Sequence, residues 1–363
     1  MKCSVKKLAY RAILLFPLLL KPSSQAGIST CFQVVTQDLG ACSPSDIQWL
    51  DIFYNDAVAL LRAGLNLYDN YKYGVLNTFS QDMSMRNGLL FFGLMPQRYP
   101  GTNRPPSKNI PDDEIRWQTV RDILYRTQRF LAGDNVLNIA NKPYLYCHDW
   151  WLERIPDDTL KRVEGLLSAS NPNSGQVQQP PITVLQAYRD YLYENGVRNK
   201  KEVWWNRISR KYHVQSPIPD RTLGMAWDGD GNADLRPRIA LVGSVFTKFA
   251  KRLVTSRGSV VDKSPMILYY SGAVSLVHEI IHLTATGRDN DDLYGYGDII
   301  SRNEFLIDRI IDGQESNDDL NEFDRLQYTA DAYAWYCLSA YLSSVSEVTL
   351  DFSTSLGTNA DGF

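Results

Sequence analysis

Two histidines four residues apart, His278 and His282, with Glu279 directly after the first, constrain this chain more than any other feature of it. On a helix, residues four apart share a face, so both imidazoles can reach one metal ion while Glu279, one step round, can reach a water held there. The flanking sequence reads as that helix. Ser271 stands as an N-cap, Leu276, Val277, Ile280, Ile281 and Leu283 cover most of the circumference, and Gly287 is a natural stop. Two imidazoles and a carboxylate buried on so apolar a helix are costly without a partner, and a metal ion is one that takes all three.

The chain has 363 residues, 44% of them hydrophobic, which is ample core for one large domain. Residues 1–26 read as a secretory signal. Lys2, Lys6, Lys7 and Arg11 precede an apolar run from Ala12 to Leu20, and Ser24-Gln25-Ala26 places small residues where a signal peptidase inspects them. That run is too short to span a bilayer of about 30 Å as a helix. No later stretch is long enough either, so a secreted, extracellular protein without membrane attachment is expected once the signal is removed. Losing five basic residues and no acidic one takes the formal charge from −3 to −8, and so acidic a mature chain argues against nucleic acid as a partner. A monomer is expected.

Cys3 leaves with the signal, and Cys31, Cys42, Cys147 and Cys337 remain. An even set in an exported chain suggests two disulfides. Cys31 with Cys42 closes a short loop, which leaves Cys147 with Cys337. There is no Asn-x-Ser/Thr sequon.

Residues 27–363 read as a single mainly helical catalytic domain with a small β-sheet, an α+β fold, carrying an insertion at about 150–235. The spacing of Ile47, Leu50, Phe53, Ala57, Leu60, Leu61 and Leu65 predicts a helix from Ser45, its cap, to about Tyr71. A second helix opens at Asp112 and Asp113 and stops at Gly133. The segment 72–111 is rich in Gly, Pro, Asn and Arg and reads as irregular. Tyr144–His148 and Ile239–Val242 are strand candidates, and further helices are expected near 157–168, 183–195, 299–312 and 323–345. Trp150-Trp151 and Trp204-Trp205 read as packing residues. Asp228–Asp234 reads as a Gly/Asp turn, because the place of the bidentate calcium ligand holds Ile239.

Catalytic zinc usually takes three protein ligands, so the two histidines need a companion. The metzincin pattern wants Gly and His where Ala285 and Arg288 stand, and it fails. Asn303-Glu304-Phe-Leu-Ile-Asp308 resembles the gluzincin signature and offers Glu304. Asp291, nine residues past His282 and followed by Asp292-Leu293-Tyr294-Gly295, offers a third solution. Here the chain resembles the aspzincins, the deuterolysin-like zinc metallo-endopeptidases, whose pattern is His-Glu-x-x-His followed by Gly-Thr-x-Asp-x-x-Tyr-Gly. Ala330, Asp331 and Tyr333 continue the resemblance to the family's Asn-Ala-Asp-x-Tyr helix, and Ala240–Phe246 is similar to the strand that crosses its cleft. Arg288 and Asp289 depart from the Gly-Thr of the pattern, and Thr329 from its Asn.

The resemblance implies a zincin-like domain that binds one catalytic Zn2+ through His278, His282 and Asp291 and cuts protein or peptide substrates. Glu279 would be the general base and Tyr294 would bind the developing oxyanion. Asp331 would line the cleft and receive a basic substrate side chain, or else orient the Asp291 loop. Ala334 stands where lysine-selective members carry a second acid, so a general preference for basic residues is the stronger form the resemblance allows. A gluzincin using Glu304 and a secreted zincin-like binding protein are the competing accounts.

Overall fold

The computed structural model describes residues 27–73, 87–88, 90–93, 113–150, 152–158, 183–194, 197–198, 201–207, 211–215, 223–227, 237–255, 265–285, 296–311, 314, 316–319, 321 and 326–345. It is mainly helical with small sheets. Among the described residues the long helices are α1 (Pro44–Tyr73), α2 (Asp113–Leu131), α3 (Val184–Leu192), α4 (Gly272–Thr284), α5 (Tyr296–Ile311) and α6 (Ala330–Val345). No described helix is long and apolar enough to cross a membrane.

Helix α1 begins two residues earlier than its spacing predicts. The cap is Ser43, not Ser45: Ser43 Oγ accepts from the Asp46 amide at 3.2 Å while Asp46 Oδ2 accepts from the Ser43 amide at 2.8 Å. This reciprocal pair satisfies two donors that a bare helix start leaves open, and Pro44 at the first helical position gives up no bond by lacking an N–H. The buried stripe Leu50, Phe53, Ala57, Leu60 and Leu61 then packs α1 against α4 and α6, with α2 beside it. At two crossings a side chain from the neighbouring helix fills the place a Cβ would take, and glycine stands there. A Cβ at Gly272 would stand 2.3 Å from the Phe53 ring, and one at Gly64 would stand 2.8 Å from Cys337 Sγ.

The four-stranded sheet has the order β1-β2-β9-β8, formed by β1 (Gln33–Val34), β2 (Tyr144–Tyr146), β9 (Arg238–Leu241) and β8 (Gly224–Trp227). The first three are parallel, and β8 closes the edge antiparallel to β9. Leu145, Ile239 and Leu241 are fully buried under the helices. Of Ala240–Phe246, residues 240–241 belong to β9 inside the sheet and residues 242–246 turn back on themselves, while β8 takes the edge of the described sheet. The stretch expected to be an insertion divides. Strands β3 (Leu152–Ile155), β6 (Glu202–Asn206) and β7 (Lys211–Gln215) with α3 enclose a small core of Ile155, Val184, Leu192, Val203 and Trp205, whereas β8 belongs to the main sheet. A two-stranded hairpin, β4 (Tyr193–Glu194) and β5 (Val197–Arg198), completes it.

Other expectations need correction. Residues 90–92 are helical, with Phe91 and Phe92 wholly buried against Tyr336, so part of the polar-looking 72–111 segment is core. Trp150 is 61% exposed and stacks on His148 at 4.3 Å, while Trp205 is buried. Most of the 157–168 helix expectation lies outside the described residues, as do Asp228–Asp234 and Trp151.

The disulfide connects Cys42 to Cys147, and Cys31 and Cys337 are buried free thiols. Sequence distance misleads here because β1 pairs with β2 across more than a hundred residues, and the Cys147 amide bonds Gly40 O at 3.0 Å, which sets the two sulfurs side by side. Cys337 is instead enclosed between α6 and α1. A cross-link over a separation of 105 residues removes much chain entropy from the unfolded state, so Cys42→Ser/Cys147→Ser is expected to cost about 2–4 kcal/mol. Urea unfolding of oxidised wild type against the double variant checks this, and an unchanged midpoint contradicts it.

Candidate metal centre

Helix α4 is apolar almost all round: Leu276, Val277, Ile280 and Ile281 are fully buried. A helix so enclosed must find a partner for each polar side chain it carries. Ser275 Oγ lies 3.1 Å from the Tyr270 hydroxyl, and Thr284 Oγ1 lies 2.7 Å from Thr127 Oγ1 on α2. Ser271 occupies the N-cap position but makes no side-chain cap bond, and the helix ends at Ala285. What remains on α4 is His278, Glu279 and His282.

These three gather. One ligand atom from each lies within 4.8 Å of the others, the only such group among the described residues. The two imidazole Nε2 atoms approach to 2.9 Å with their rings nearly perpendicular, at 74°. The Glu279 carboxylate lies 3.8 Å from His278 Nε2 and is only 3% exposed.

Asp331, in the first turn of α6, completes the arrangement. Its Oδ1 lies 2.6 Å from His278 Nδ1. A carboxylate only accepts, so Nδ1 carries the proton and Nε2 turns its lone pair toward His282. Carboxylates hold metal-ligating histidines in this way, fixing tautomer and ring orientation. The position at the start of α6 also favours a negative charge there.

The donor set fits a divalent ion. Two nitrogens each bound to zinc at about 2.0–2.1 Å in a tetrahedral site stand about 3.3 Å apart, so a widening of about 0.4 Å from the observed 2.9 Å would admit the ion. The local charge agrees with a cation. The Tyr270 phenol is pushed above its ordinary value, first by burial and then by the negative charges of Asp331 and, more weakly, Glu279. Tyr270 therefore stays a neutral phenol, sharing a hydrogen bond with Ser275.

The structure thus brings together four of the residues singled out in the sequence, His278, Glu279, His282 and Asp331. Asp291 and Tyr294 lie outside the described residues, and Glu304 lies on α5 with its side chain outside the described set. Gly224, by contrast, was missed. It faces Glu279 across the sheet edge, and a Cβ there would fall 2.4 Å from Glu279 Oε1. A glycine inside the run Leu223-Gly224-Met225-Ala226-Trp227 was the available signal, since glycine in a strand often marks close approach of another group.

No protein-family model, curated protein or solved structure matches the chain. Its chemistry has to be read from the site itself.

Proposed function

We propose that this protein is a secreted zinc-dependent endopeptidase in which Glu279 is the general base. The observation that carries this reading is the convergence of His278 Nε2, His282 Nε2 and the Glu279 carboxylate within 4.8 Å, with Asp331 fixing the tautomer of His278. A carboxylate buried beside two converging imidazoles is placed to take a proton from a water held there.

The sheet edge supports a polypeptide as the substrate class. The Val242 amide bonds Leu223 O, and the register pairs Met225 with Ala240 and Gly224 with Leu241. In an antiparallel ladder bonded and non-bonded pairs alternate, so Gly224 and Ala226 direct their N–H and C=O groups away from β9, toward an edge that no other described strand pairs. An extended chain can add to that edge by main-chain hydrogen bonds. It would then run past Glu279, which lies against Gly224.

His278 and His282 would hold the ion through Nε2, with Asp291 as the proposed third ligand. When bound, zinc supplies Lewis acidity toward a water and toward the scissile carbonyl. Glu279 takes a proton from the attacking water at a carboxylate oxygen and delivers it to the leaving amine nitrogen. Asp331 keeps the His278 proton on Nδ1 throughout, and Tyr294 would donate to the developing oxyanion.

Zinc content and casein hydrolysis, measured on the mature wild type and on Asp291→Ala and Glu304→Ala, test the reading. Asp291→Ala is expected to lose zinc and activity together, with Glu304→Ala keeping both. The reverse pattern would move the third ligand to Glu304. Stoichiometric zinc with no casein cleavage by the wild type would sink the peptidase reading in favour of a binding protein.

A further inference from the structure

We infer that Gly224 is the positioning residue for Glu279: the absence of a side chain at this point of β8 is the space in which the Glu279 carboxylate sits. This inference extends the peptidase reading and takes Glu279 as its base. A Cβ built at Gly224 would stand 2.4 Å from Oε1, 2.6 Å from Cδ and 2.6 Å from Cγ of Glu279. Three consecutive atoms of the side chain are met, so swinging the carboxylate tip aside cannot relieve the overlap. Cγ is tied to the helix through Cβ, and α4 is buried on both flanks of Glu279 by Val277, Ile280, Ile281 and Leu283.

Backbone conformation does not explain the glycine. Gly40, Gly93 and Gly133 have positive φ among the described residues, and Gly224 does not. It also begins strand β8, paired with Leu241, where glycine is a poor strand former. What remains is close approach. Ala226, two residues on and on the same face, carries a methyl that packs against the core, so that face of β8 accepts a side chain one step further along.

The same residue meets an incoming chain. Gly224 directs its peptide groups to the edge that no other described strand pairs while its Cα bears on Glu279, so a substrate strand bonded there is indexed directly against the base. A misplacement of a catalytic group by about 1 Å can cost on the order of 100-fold in rate. Gly224→Ala is accordingly expected to keep stoichiometric zinc and to lower kcat on casein on the order of 100-fold, with KM changed far less.

A merely structural glycine would give a different result in a double-mutant cycle on the full mature protein. Glu279→Ala removes Cγ, Cδ and both oxygens, the atoms that the new methyl would meet. The fall in urea midpoint caused by Gly224→Ala should therefore at least halve in the Glu279→Ala background. Equal falls in both backgrounds would overturn the inference, as would full kcat in Gly224→Ala. If Gly224→Ala alone does not fold, folding of Gly224→Ala/Glu279→Ala is the expected outcome and its failure overturns the proposal. The stability cycle requires no catalysis, so an inert wild type would reject the peptidase reading while the cycle still decides the contact.

Discussion

Glu279→Gln is expected to lower casein turnover by about 10²–10⁴-fold while zinc stays bound. The amide keeps the size and shape of the carboxylate, so it fits the same space beside Gly224 and disturbs the packing of α4 little. It cannot take a proton from water. His278 and His282 are untouched, and their Nε2 atoms still converge. The two readouts belong together. Loss of zinc in Glu279→Gln would make Glu279 a ligand, and full activity would place the base elsewhere. Because Glu279 is only 3% exposed, the variant is also a test of whether so enclosed a carboxylate does the chemistry.

Asp331→Ala is expected to weaken zinc binding by about 10–100-fold, the usual effect of removing a carboxylate that orients a ligating histidine. The 2.6 Å contact with His278 Nδ1 is the reason. Without it the imidazole can carry its proton on Nε2, the atom that faces His282, and that tautomer cannot bind the ion. Chelator competition measures the affinity directly. A different result would follow if Asp331 served instead to receive a basic substrate side chain: zinc affinity would hold, and KM would rise for substrates with Lys or Arg at the cleavage site. The second pattern would return Asp331 to the role that the family resemblance implies.

The local chemistry of the site was legible in the sequence because it depends on helix period. Four residues per face puts His278 and His282 on one side of α4 whatever the helix packs against. Strand β2 and helices α1 and α2 were legible for the same kind of reason, since their burial patterns are written within one segment. The α1 cap and the Trp150–His148 stack were local misses, and the larger failures involve partners far away in the chain. Cys42 lies 11 residues from Cys31 and 105 from Cys147, yet it bonds the distant one because β1 lies beside β2. Phe91 and Phe92 sit in a stretch of Gly, Pro and Arg that looks like loop, and they are core because Tyr336 of α6 covers them. Asp331 was recognised, but nothing in its own helix says that it would meet His278, 53 residues earlier.

By itself the sequence determined which side chains can act: two imidazoles at helical spacing, a carboxylate between them, and an apolar helix that gives polar groups no water to fall back on. Tertiary structure decided what each of them touches. The docking of α6 on α4 supplies the acceptor that selects the tautomer of His278, and the place of β8 at the edge of the described sheet sets a glycine against Glu279 and turns the peptide groups of Gly224 and Ala226 away from β9. The physical reason is range. Helix period and burial act over a few residues, whereas a hydrogen-bond partner or a missing Cβ matters only where packing brings segments far apart in the chain within about 3 Å of one another.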